Sequence, residues 1–132
     1  MTPPLAPIRM QFATAGNHYR LEATISRLLP REVAEVVAAF SQVWTKPEEI
    51  DSISLGIEAG EALILTLTAD HEISLTQRPA DIARLLTYAI WQRLDRYTKV
   101  TVETTYLGES PDTHFEFGEE QYATAYGARF EN

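Results

Sequence analysis

The sequence predicts an α+β domain, an antiparallel β-sheet with two main helices packed on it, in the order ββ-α-βββ-α-ββ-(α). Three observations lead there. Apolar residues alternate with polar ones, at strand period, in several short segments. Two longer segments, each opened by a proline, carry their apolar residues at helical spacing instead. Most connections between strands are short enough for hairpins, which dictates antiparallel pairing.

The elements follow in order. Ile8, Met10 and Phe12 alternate, Ala15-Gly16-Asn17 tolerates positive φ, and Tyr19, Leu21, Ala23 and Ile25 resume the alternation, which reads as a hairpin. Pro30 opens the first helix, Glu32 suits its positive end, and Val33, Val36, Val37, Phe40, Val43 and Trp44 form one stripe. Lys46-Pro47 stops it. Ile53, Leu55 and Ile57 make a strand, a turn follows at 58–61, and Leu63, Leu65 and Leu67 make the next. Asp70-His71-Glu72 reads as a polar turn before a short strand at Ile73 and Leu75. The second helix runs from Pro79 to about Arg96, with Ile82, Leu85, Leu86, Ala89 and Ile90 as its core side. Strands from Val100 to Tyr106 and at Phe115 and Phe117 close the sheet.

The chain has 132 residues, no cysteine and a formal net charge of −8. That length fits one domain, placed at residues 1–117, with 118–132 as an acidic aromatic tail or short helix. Without cysteine there are no disulfides, thiolate zinc sites, iron–sulfur clusters or cysteine nucleophiles. The negative charge argues against nucleic acid and anionic membranes as partners, since both would repel it. No apolar run suits a signal peptide or a membrane span, so the cytoplasm is the default location.

Signatures of chemistry are missing. The glycines form no phosphate-cradling or dinucleotide-binding loop, and neither G-x-S-x-G nor H-E-x-x-H occurs. His18, His71 and His114 fall in or beside expected turns and no two share a helical face, so they read as solvated rather than as metal ligands or an acid–base site. The neighbouring acids Glu48-Glu49 and Glu119-Glu120 read as helix-start charge, because a glycosidase pair must stand across a cleft. The expectation is no enzyme, no metal and no cofactor.

Two surface features point to partners. Opposite the core side of the second helix, Arg84, Tyr88, Trp91 and Asp95 line up at i, i+4, i+7 and i+11, and Trp91 needs a second cover. That cover is either another element of the chain or a dimer seam. Charge is also segregated: residues 76–99 carry five bases against two acids, whereas 103–132 carry seven acids against Arg129 alone. Within that acidic stretch Tyr122, Tyr126 and Phe130 share one helical face beside Glu119 and Glu120. The group reads either as a partner-binding anchor or as a helix docked on its own domain.

From Pro30 onward the order helix, three strands, helix, two strands and a terminal helix resembles the class I type III secretion chaperones and the YbjN-like proteins that share their fold. The matching segments are the stripe Val33 to Trp44, the strands at 53–57, 63–67 and 73–75, the helix Pro79 to Arg96, and the strands at 100–106 and 115–117. They cover about three-quarters of the chain by element order, without a sequence motif. The hairpin from Ile8 to Ile25 departs from that order. The resemblance implies a homodimer joined through the helix of Tyr88 and Trp91 that binds an extended client segment without chemistry. The expected function is therefore a non-enzymatic chaperone or adaptor that shields a segment of a client protein during assembly or secretion. The alternative is an acidic inhibitor or immunity-type protein that blocks a basic site on a partner enzyme.

Overall fold

A computed structural model describes residues 17–58, 60, 62–73, 76–106 and 113–131. Five antiparallel strands form one sheet: β1 (Asn17–Leu28), β2 (Ser52–Ile57), β3 (Leu63–Ile73), β4 (Val100–Tyr106) and β5 (Thr113–Phe117). Their order across the sheet is β2-β3-β1-β4-β5. The helices are α1 (Val33–Val43), α2 (Pro79–Leu94) and α3 (Glu119–Glu131). The first six elements, β1-α1-β2-β3-α2-β4 with β1 and β3 central, make the split βαβ arrangement of ferredoxin-like folds, extended here by β5 and α3.

Register explains the core. Ile25, Ala23 and Leu21 of β1 face Leu65, Leu67 and Ala69 of β3 on one side, and Ile25 and Ala23 face Val100 and Val102 of β4 on the other. All of these side chains are buried beneath α1 and α2. The opposite face of the sheet is polar. There Arg20 pairs with Asp70 at 2.8 Å, and Thr24 approaches Thr66 at 3.4 Å. α1 and α2 lie side by side, bridged where Arg93 donates to Glu35 at 3.2 Å and to Gln42 at 3.3 Å.

Two expectations change. Asp70, His71 and Glu72 are not a turn: β3 runs on to Ile73, because β1 offers Arg20, Tyr19 and His18 as partners for these residues. Among the described residues two strands therefore separate the main helices, one fewer than the order behind the chaperone resemblance. The hairpin from Ile8 to Ile25 is also replaced, since β3 and β4 occupy both edges of β1. The segment from Ile8 to Phe12, like Leu75, lies outside the described residues.

Helix ends follow local chemistry. A 3-10 turn over Pro30–Glu32 leads into α1, and the Glu32 carboxylate accepts the Leu29 backbone N–H at 2.9 Å. Arg96 donates to the same carboxylate at 2.5 Å, which ties the end of α2 to the start of α1. This guanidinium, together with the Leu29 N–H, holds the Glu32 carboxyl below the usual carboxylate range despite its burial. The folded pKa lies under the unfolded one. The stabilisation is therefore complete above the unfolded value near ~4.3 and is lost as pH falls through the folded value. Glu32→Gln is expected to cost ~1–3 kcal/mol at neutral pH and to lose less further stability on acidification than the parent. Urea melts of both proteins at neutral and acidic pH test this, and an equal acid loss in the two would contradict it.

Candidate functional site

Among the described residues the most exposed apolar feature is at one edge of the sheet. Ser52–Ile57 alternates apolar with small residues, holds no charge and no proline, and pairs with β3 on one side only among the described residues. Ile53, Leu55 and Ile57 stand opposite Leu67, Leu65 and Leu63, so they project on the helix-bearing face. α1 sits over β3, where the Trp44 indole donates to the Ala69 carbonyl at 2.9 Å, and its far flank packs on α2. Nothing described roofs β2. Ile53 and Leu55 remain about half exposed and Ile57 is 79% exposed, whereas their β3 neighbours Leu65 and Leu67 are fully buried.

The opposite edge shows the contrast. Phe115 and Phe117 of β5 face Val102 and Val100 and are partly buried against the core. α3 follows directly and lays Tyr122 against Trp91, with ring centroids 5.0 Å apart and edge to face. The apolar side chains of one edge strand are partly buried by the rest of the chain and those of the other stand open among the described residues, and open apolar edges are what folded proteins usually avoid.

Acids bracket the open edge. Glu48, Glu49 and Asp51 precede β2 and Glu58 follows it. Thr45 donates to Glu49 at 2.5 Å and holds that carboxyl below its ordinary range, with Lys46 adding to the effect. Glu58 accepts the Arg27 backbone N–H at 2.7 Å, at the β1 bulge where Arg27 adopts φ 56°.

The expected interface on α2 is dispersed. Trp91 is 1% exposed and covered by its own chain: its indole donates to the Thr98 carbonyl at 2.7 Å and stacks among Tyr88, Tyr97 and Tyr122. Leu85, expected in the core, is instead 52% exposed, because the buried face of α2 is rotated toward Ala83, Thr87 and Trp91. Arg84 pairs with Asp81, and Asp95 ends the helix at φ 55°. Of this group, Tyr88 presents an apolar surface to solvent.

In the terminal stretch, Tyr122 is half-buried against Trp91 and Tyr97, so it serves the domain. Glu119 and Glu120 are exposed in the first turn of α3. The side chains of Tyr126 and Phe130 lie outside the described residues.

Among the described residues the three histidines each have their own neighbours. His18 lies 3.1 Å from Glu72, and His114 lies 3.3 Å from Glu116 and 3.6 Å from Glu103, on exposed surface. His71 packs against Trp44. His114 and Lys99 hold the Glu116 carboxyl below its ordinary range. Among the described residues no group of three or more His, Cys, Asp or Glu side chains is placed to hold a metal ion. A cleft of about 790 Å³ lies between α2, β5 and α3, lined by Arg84, Tyr88, Phe115, Phe117 and Glu120. A second of about 490 Å³ lies between α1 and α2, beside Trp44, His71, Leu85 and Tyr88. Among the described residues no helix is long and apolar enough to cross a membrane. No protein-family model, curated protein or solved structure matches the chain.

Proposed function

We propose that this chain is a non-enzymatic protein-binding chaperone or adaptor that shields an extended segment of a partner protein. The supporting observation is β2, an uncharged edge strand whose three large apolar side chains stand on the core face without a roof among the described residues. A partner segment adds as a further strand. Its backbone takes up the N–H and C=O groups that alternate along the outer side of β2, and its alternate side chains continue the apolar floor beside Ile53, Leu55 and Ile57. The inhibitor reading has less support, because Glu32, Glu35, Asp70, Asp81 and Glu116 are each held by a base of this chain.

Selection of random peptides on the immobilised protein tests the proposal. Retained peptides are expected to alternate apolar and polar residues over about six positions, and Leu55→Lys is expected to release them. Retained sequences without alternation, or equal retention by Leu55→Lys, would overturn it.

A further inference from the structure

We propose that the cleft between α2, β5 and α3 is a second site, separate from β2, that takes a free peptide of about three residues, its ammonium terminus at Glu120 and its carboxylate at Arg84. At about 790 Å³ the cleft is of ligand size. β5 forms its base and pairs with β4 alone among the described residues. Which backbone groups β5 leaves free follows from the ladder. The Ser26 N–H donates to the Lys99 carbonyl at 3.1 Å, so the odd residues of β4 bond β1 and the even ones, Val100, Val102 and Thr104, bond β5. The N–H and C=O groups of His114 and Glu116 therefore turn outward, to the edge on the cleft. Their side chains are engaged elsewhere: Glu116 pairs with Lys99 at 3.5 Å and with His114 at 3.3 Å.

Opposite charges in excess stand at the two ends of this edge. Glu120 follows β5 in the first turn of α3, is exposed and pairs with no base among the described residues. At the other end Asp81 is shared by Arg78 and Arg84, each at 3.4 Å, and one carboxylate cannot neutralise two guanidinium groups. The spacing follows from α2. Trp91 packs on Tyr97, whose hydroxyl lies beside Gly118, so this turn of α2 is level with the end of β5. Arg84 lies about two turns earlier, roughly 10 Å back toward the start of the strand. Three extended residues span about that length. With its ammonium at Glu120 the peptide runs antiparallel to β5. Its first and third residues then bond the Glu116 and His114 backbones. Its second stands opposite Phe115 with its side chain on the same face, beside Tyr88. The central residue is therefore apolar or aromatic.

Four forms of the tripeptide serine-phenylalanine-serine test the proposal: free at both ends, acetylated at the N-terminus, amidated at the C-terminus, and capped at both. Binding to the full chain is measured by calorimetry at low and high salt, with amide hydrogen exchange locating the contact. The free form is expected to bind most tightly, and each single cap to weaken it at least about fivefold at low salt and less at high salt. Glu120→Gln should abolish the effect of the acetyl cap and keep that of the amide, and Arg84→Gln should do the reverse. Both side chains are exposed, so the urea midpoint should stay where it is in either variant. Triserine should bind at least about tenfold more weakly than the free parent peptide. Equal binding of the four forms, or protection away from the His114 and Glu116 amides, would overturn the proposal. No binding at millimolar concentration, with those two amides already protected in the free protein, would put a segment of this chain in the cleft and overturn it too. No binding with those amides unprotected would overturn it outright.

Discussion

Trp91→Ala is expected to cost ~3–5 kcal/mol, which for a domain of this size removes much of the total stability. The side chain is 1% exposed, and its removal leaves a large cavity. It also leaves the Thr98 carbonyl without its indole donor and takes away the ring on which Tyr122 rests. The effect is therefore expected in two places: a lower urea midpoint, and faster amide exchange along α3. Trp91→Phe keeps an aromatic surface and should lose about 1–2 kcal/mol, mainly the hydrogen bond. A loss under about 1 kcal/mol for Trp91→Ala would mean that α3 does not dock on α2.

Phe40→Ala is expected to cost a similar ~3–5 kcal/mol. Phe40 is fully buried at the centre of the α1 stripe, between the sheet and the helix pair. Leu55→Lys is the informative contrast. It alters an equally apolar residue whose side chain is already 53% exposed, so the melt should move by no more than about 0.5 kcal/mol. Denaturant melts of the two variants side by side separate core from surface. Equal losses would show that β2 is roofed in solution.

The features legible in the sequence were those set by local pattern. Pro30 and Pro79 marked both helix starts, the Val33–Trp44 stripe lay on the buried side of α1, and β4 spans the expected Val100–Tyr106. Features set by long-range pairing were not legible. Asp70, His71 and Glu72 are polar enough for a turn, yet they remain in β3 because β1 supplies a strand partner and, for Asp70, an ion pair with Arg20. Trp91 declared its need for a second cover, but the chain pattern did not indicate that Tyr97 and Tyr122 would provide it. The open edge was the hardest to see. Ile53, Leu55 and Ile57 alternate just as Leu63, Leu65 and Leu67 do, and only the strand order makes one set surface and the other core. The one local signal was the lack of lysine, proline or any charge within Ser52–Ile57, the devices that normally protect an edge.

Amide hydrogen exchange of the full chain with and without a saturating selected peptide tests the central claim most directly. If a partner strand adds to the edge, alternate amides of Ser52–Ile57 should gain protection, while those of α3 and of the cleft between α2 and β5 stay unchanged. Protection that appears in α3 or around Tyr88, with β2 unaffected, would contradict the account.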